Sequence, residues 1–370
     1  MMSDLLPILV NDFSREPSEL RMAQELACQK VIASDRWILS EFVKAFEGQW
    51  AQYCQAHHAI GVANGMDAIE ISLRALGVGP GHEVITTSLT AFATTLAILR
   101  CGARPVFADI DISTGCLDPT SARTAITSAT RAIVVVHLYG QAARLDELVN
   151  LCAVNSIDLI EDCAQAHGAM FNGKPVGTYG TLAAWSFYPT KNLGAIGDAG
   201  AITTSLSHLA EQASMLRNYG QRDRYNHTIQ GLNSRLDELQ ASILIERLKY
   251  LPLWTTRRRA IAHRYWTEIH NPRIHLLSRP VNPSHHVHHL FVIRTPDRSL
   301  LQAHLAKCGV NTLIHYPVAC HNQKALEPYR LTHMALPATI EFTESCLSLP
   351  VHPYLTEEEV SRVIQSCNSF

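Results

Sequence analysis

The chain has 370 residues, and 31 Lys and Arg against 33 Asp and Glu leave a formal net charge of −2. That balance offers no general attraction to nucleic acid or to an anionic membrane. Hydrophobic residues make up 47% and charged residues only 17%, which excludes disorder and fits a large core with apolar surface left for an oligomer.

The opening segment MMSDLLPILVNDFSREP has no basic region, and Asp4, Asp12 and Glu16 break its apolar run. It does not read as a secretory signal, and no later run has the ~18 apolar residues of a membrane span. The ten cysteines form no C-x-x-C and read as reduced thiols of a cytoplasmic protein. Residues 15–53 read as helical, with Phe42, Phe46 and Trp50 on one face.

From residue 60 the pattern alternates. IGVANG closes a strand at Gly65; MDAIEISLRALG is a helix with Ile69, Leu73 and Leu76 on one face and Gly77 as its stop. EVITTS reads as a strand and FATTLAILRCG as a helix ended by Gly102. PVFADID, AIVVVHLYG and DLIEDCAQ are short apolar runs that suit parallel strands buried on both faces. LDELVNLCAV supplies a helix between two of them, and AAWSFY and AITTS add strands. The alternation predicts an α/β fold with a doubly wound, mostly parallel sheet.

Residues 235–268 read as one long helical stretch interrupted near Pro252. A strand (HHLFVIRT), a helix (RSLLQAHLAKCG), a second strand (NTLIHY) and a helix opened by Thr356 follow. The expected division is a large domain, 1–245, with an N-terminal helical segment, and a small C-terminal α+β domain, 246–370.

Ligands of open α/β sheets bind beyond the carboxyl ends of the strands. Three places there carry candidate chemistry. Asn64-Gly65-Met66-Asp67 is either an ordinary tight turn or a helix N-terminus open to a phosphate. Asp162 ends a buried strand, where an acid needs a cation or donors; it pairs with a protonated heterocyclic nitrogen, or it caps a helix or meets an Arg. Lys191 lies in the loop of SFYPTKNLGAIGDAGA, near Ser186 and several glycines; it is a solvated charge or, held in a closed site, a Schiff-base lysine. Taken together the three match what pyridoxal 5'-phosphate needs: a phosphate cradle, an acid for the ring nitrogen and a lysine for the aldehyde.

The sequence here resembles the DegT/StrS-type nucleotide-sugar aminotransferases of pyridoxal-phosphate fold type I, the aspartate aminotransferase-like fold. The likeness runs through SDRWILSEFVKAFE, NGMDAIEISLRALGVGPGHEVI, GARPVFADID, VVHLYGQAARLDEL, IEDCAQAHGA, SFYPTKNLGAIGDAGA, LNSRLDELQASIL, LIHYPVACHNQ and LSLPVHPYLTEEEV. It implies that Lys191 carries the cofactor and Asp162 binds its ring nitrogen, with Gln165 beside the ring. Gly65, Met66 and Ser186 are implied to hold the phosphate, joined by Asn233 from the partner of a homodimer. Tyr219, His315, Tyr316 and His321 are implied to face the nucleotide-linked keto sugar. The implied reaction takes an amino group from L-glutamate, which leaves as 2-oxoglutarate, through the pyridoxamine 5'-phosphate form.

Three positions depart from the family pattern: Ala91 stands where an aromatic stacks on the ring, Ala319 replaces a proline, and Ser40 a glycine. Phe92, one place on, reads as core. The cluster His285, His286, His288 and His289 reads as strand rather than metal site. Arg257-Arg258-Arg259 reads as a solvated or subunit-contacting helix face, and Cys163 and Cys320 as packing. NGMDAI resembles the form found in enzymes that aminate C-3 of a dTDP-linked keto-6-deoxyhexose, and C-3 is the expectation. The alternatives are a C-4 aminotransferase on a dTDP- or UDP-4-keto sugar, a related dehydratase, whose branch replaces the lysine by His, and a non-catalytic regulator. An oxidoreductase would need a G-x-G-x-x-G after the first strand, which is absent.

Overall fold

In the computed structural model, which describes residues 6–329 and 335–370, one sheet of seven strands forms the centre. They are β1 (His58–Val62), β2 (Glu83–Thr87), β3 (Arg104–Ala108), β4 (Thr130–Val136), β5 (Asp158–Asp162), β6 (Leu182–Ser186) and β7 (Gly200–Thr204). The order is β1-β7-β6-β5-β4-β2-β3. β7 runs antiparallel to both neighbours, and every other pair is parallel. β1 therefore points the same way as β6, and the chain ends of six strands share one edge.

Strand β4 shows why these residues make a buried strand. Ile133 and Val135 join one hydrophobic cluster, while Ala132 and Val134 join the cluster on the other face. A period of two with both faces apolar suits a strand covered by helices on each side. Each fully buried Val or Ile contributes roughly 1.5–3 kcal/mol.

The N-terminal region is two helices, Ser18–Ala33 and Glu41–Cys54. The second starts on the carboxylate of buried Glu238, which accepts the N–H groups of Ser40 at 2.5 Å and Phe42 at 2.9 Å. Phe46 and Trp50 are fully buried, and Trp50 meets Trp185 edge-on at 5.0 Å. The long helical stretch is Glu238–Leu248 and Leu251–Glu268, with Pro252 in the first turn of the second helix, where its missing N–H costs nothing.

A small antiparallel sheet follows the order His275–Leu276, Phe291–Arg294, Cys346–Leu349. The expected strand NTLIHY does not form: its one ladder contact is the bridge from Leu313 to Ser348. Its backbone is spent elsewhere, because the His315 carbonyl accepts the Tyr139 hydroxyl at 2.5 Å. A third hydrophobic cluster gathers Ile8, Ile261, Tyr265, Phe291, Leu347 and Val363. The final helix, Glu357–Asn368, opens with a capping box between Thr356 and Glu359.

The arginine run also differs from expectation. Arg258 is buried, and Arg259 donates to the carbonyls of His286 at 2.9 Å and Ser284 at 3.2 Å. The loop 284–289 carries carbonyls with no ladder partner, and the two guanidinium groups satisfy them. The four histidines lie on that loop before the strand; His286 and His288 stack at 3.8 Å.

Candidate active site

Register brings the site together. Val62 of β1 and Ser186 of β6 both pair with Gly200 of β7, so the residues following Val62 lie one strand away from Ser186. A Cβ at Gly200 would stand 2.5 Å from the Asn64 backbone, and a Cβ at Gly65 would stand 2.6 Å from the Ser186 Cβ. Only glycine permits this approach at either place.

The helix Gly65–Ala75 starts on Asn64, whose side chain accepts the Asp67 N–H at 2.8 Å. The N–H groups of Gly65 and Met66 precede the first intrahelical bond, Ala68 to Asn64. They stay available to an anion at the positive end of the helix, beside the Ser186 hydroxyl.

On the strand next to that of Ser186, Asp162 ends β5 with 5% of its surface exposed. Oδ2 accepts the Thr94 hydroxyl at 2.9 Å, and Oδ1 accepts the Ala164 N–H at 3.1 Å. Thr94 lies 3.2 Å from the hydroxyl of Thr90. Burial pushes the Asp162 carboxyl above its ordinary value; the two hydrogen bonds and the Lys191 charge pull against it. Among the described residues no Lys, Arg or His comes within ion-pairing distance. A buried acid in this position fits a protonated ring nitrogen as its missing cation.

Lys191 follows the turn closed by its own N–H on the Tyr188 carbonyl at 2.8 Å. Burial lowers its ammonium to about 8, with Asp162 opposing the shift. The next residue, Asn192, anchors the loop: its amide donates to the Val287 carbonyl at 3.0 Å, and its oxygen meets His289 at 3.2 Å.

Gln165 is held from both ends. Its Oε1 accepts the Tyr139 N–H at 2.6 Å, and its Nε2 donates to the Tyr316 hydroxyl at 3.2 Å. His315 bonds Ser348 at 2.8 Å, and His321 bonds Ser88, which follows β2, at 2.7 Å. His315, Tyr316 and His321 thus reach the same sheet edge as Asp162 and Ser186. Tyr219 and Asn233 form a separate, exposed group: Tyr219 donates its N–H to the Leu232 carbonyl at 2.8 Å and lies under the Arg235 guanidinium. Ser234 accepts the Ala63 N–H at 3.1 Å, which places this segment along the chain leading to Gly65.

Thr94, Tyr139 and Ser88 were not singled out from sequence. Thr94 lies in TAFAT, where attention falls on the aromatic; the useful signal is a hydroxyl on the first turn of a helix facing a strand end. Phe92 packs on Phe107, Cys320 and Leu326, as a core residue.

An unpaired buried acid, a lysine of lowered basicity and an open helix N-terminus beside a serine, on a mostly parallel α/β sheet, define a pyridoxal-phosphate enzyme of fold type I. The chain belongs to the DegT/DnrJ/EryC1/StrS aminotransferase family, whose model matches residues 19–368. It is 45% identical over 344 residues to the dTDP-3-amino-3,6-dideoxy-alpha-D-galactopyranose transaminase of Aneurinibacillus thermoaerophilus, covering 93% of this chain and 94% of that one. It is 42% identical over 361 residues to a pleiotropic regulatory protein of Geobacillus stearothermophilus, covering 97% of each. The fold matches the crystal structure of S. venezuelae DesV in complex with a ketimine intermediate at a TM-score of 0.95 and 41% identity, covering 99% of this chain and 98% of that one.

Proposed function

We propose that this aminotransferase moves the amino group of L-glutamate onto C-3 of a dTDP-linked keto-6-deoxyhexose, in the cytoplasm, as a homodimer with shared sites. The observation that carries the transaminase reading is the presence of both Asp162, held by Thr94 and Ala164, and the buried Lys191 at one sheet edge. The C-3 assignment rests on the NGMDAI segment and on the 45% identical relative, whose name specifies a 3-amino sugar. All ten cysteines are unpaired, which suits a reducing compartment.

Pyridoxal phosphate, when bound, supplies an electron sink for the carbon that loses a proton. The chain's residues supply the rest. The N–H groups of Gly65 and Met66, with the Ser186 hydroxyl, hold the phosphate, and Asn233 of the partner subunit completes its ligands. Asp162 keeps the ring nitrogen protonated. Lys191 Nζ, with its basicity lowered towards the working range, attaches the cofactor and carries the proton between the reacting carbons. Gln165 fixes the ring edge, and His315, Tyr316, His321 and Tyr219 receive the sugar and its nucleotide.

The relative named as a regulatory protein raises a second reading, a binding protein without turnover. Retention of Lys191, Asp162, Gln165 and Ser186 together favours catalysis. A panel of dTDP-, UDP- and GDP-linked keto sugars with glutamate tests the assignment. The expected product is a dTDP-linked 3-amino sugar by NMR; an amine at C-4 overturns the regiochemistry, and no amination by cofactor-loaded protein overturns the substrate class.

A further inference from the structure

A small cavity opens where the N-terminal segment, the Lys191 loop, the helix Leu251–Glu268 and the turn at His352–Tyr354 meet, with about 30 Å³ of internal room. Around 10–15 Å³ suffices for one water, so the space takes a pair of waters or one small ion. Its lining gathers a set of unsatisfied polar atoms. Arg247 Nε, Arg258 Nε, His352 Nδ1 and the Tyr354 hydroxyl are all buried without a hydrogen-bond partner among the described residues. Arg247, Arg258 and His352 are only 6%, 5% and 3% exposed.

The carboxylates of the lining are already engaged. Arg247 and Arg258 share the lining with Asp12 and Glu16, and the Lys191 loop borders it. Both carboxylates are engaged: Glu16 with Arg247 at 2.5 Å, and Asp12 with Arg15 at 3.0 Å. Among the described residues Arg258 meets no carboxylate; its Nη1 donates to the carbonyls of His288, His289 and Val351 at 3.1–3.3 Å. A guanidinium in this setting is a buried cation without a counter-ion, which is costly. The unpartnered Nε–H groups of Arg247 and Arg258 can only donate, and the Tyr354 hydroxyl can donate as well, so one acceptor satisfies all three.

We propose that the cavity holds one chloride-sized monovalent anion, bound by Arg258 with donors from Arg247 and Tyr354. A single negative charge neutralises Arg258 and accepts the orphaned donors together. The lining includes residues 189–192, so the anion sits against the loop that carries Lys191. It ties the small C-terminal sheet, through Arg258, to the loop that carries Lys191.

Crystals of the holoenzyme grown in sodium bromide test this directly. The expected result is a bromine anomalous peak in this cavity, lost in Arg258→Gln. In solution, replacing sodium gluconate by sodium chloride should raise the melting temperature of the holoenzyme in a saturable way, and the rise should vanish in Arg258→Gln. Because that variant could fail to fold, Tyr354→Phe serves as the mild one; it should retain the fold and shift the chloride midpoint upward severalfold. A cavity filled by water at high bromide, or a chloride midpoint unchanged in Tyr354→Phe, overturns the proposal.

Discussion

Thr94 holds Asp162: its hydroxyl donates to Oδ2 at 2.9 Å from the first turn of the helix Phe92–Arg100, across the sheet edge from the strand that carries the acid. This bond helps keep a deeply buried carboxylate charged before any cation arrives, since burial alone pushes it towards the neutral form. A hydrogen bond to a charged group is worth roughly 1.5–3 kcal/mol. Thr94→Val keeps the shape and removes the donor. The expected outcome is cofactor affinity weakened about tenfold or more, restored by Thr94→Ser, with the fold intact by circular dichroism. Equal affinity in Val and Ser variants would show that Thr94 only packs.

Asp162→Asn should still fold and bind cofactor, because the amide oxygen keeps the Ala164 N–H and the amide nitrogen donates to a Thr94 hydroxyl turned to accept. It should lose transamination by on the order of a hundredfold or more, the scale seen when one preorganised electrostatic partner is removed. Half-reaction kinetics with glutamate provide the measurement, and near-normal turnover would exclude Asp162 from the chemistry.

Borohydride reduction of loaded enzyme should fix the cofactor on Lys191 and on no other lysine, as read by peptide mass spectrometry. The capture step should also depend on pH. With the ammonium lowered from the usual 10.5 to about 8, the neutral amine is about a tenth of the population at pH 7, and its share grows as pH rises through 8. Cofactor capture by apoenzyme should therefore speed up about tenfold between pH 6 and 7 and level off above 8. A rate still climbing steeply at pH 10 would mean that the lysine is not desolvated.

Gly65→Ala should fold and bind cofactor poorly. The added Cβ would stand 2.6 Å from the Ser186 Cβ, so the helix start must move away from the serine and open the phosphate cradle. A loss of affinity of at least about tenfold is expected by equilibrium titration, against unchanged secondary structure. Gly48→Ala, where an added Cβ meets nothing within 4 Å, is the control.

The active species should sediment as a dimer at assay concentration, and Asn233→Ala should weaken cofactor binding without altering the sedimentation. Asn233 is exposed, and its neighbours Leu232 and Ser234 hold the segment to its own chain. Full activity from a monomer would contradict the shared site.

The parallel strands were legible in the sequence because β4 is apolar on both faces, and few other structures hide such a run. Lys191, Asp162 and Gly65 were legible because strand ends in this fold class collect chemistry. The segment NTLIHY was not, since β-branched and apolar residues suit a strand but Tyr139 takes the His315 carbonyl. Arg258 and Arg259 read as a solvated face because their partners are main-chain carbonyls about thirty residues or more away, which no local pattern reveals. Thr94 escaped for the same reason: its partner lies 68 positions on.

The place of β7 in the sheet has a consequence for the order of events during synthesis. β1 has one neighbour in the sheet, and that neighbour is β7, at Gly200–Thr204. The growing chain emerges N-terminus first, so the strand that leads into Gly65 waits with both edges open while more than a hundred residues follow it out of the ribosome. A nascent chain truncated before Gly200 therefore has the acid and the lysine but no docked helix start for the phosphate, and cofactor capture does not precede the moment when β7 slots between β1 and β6.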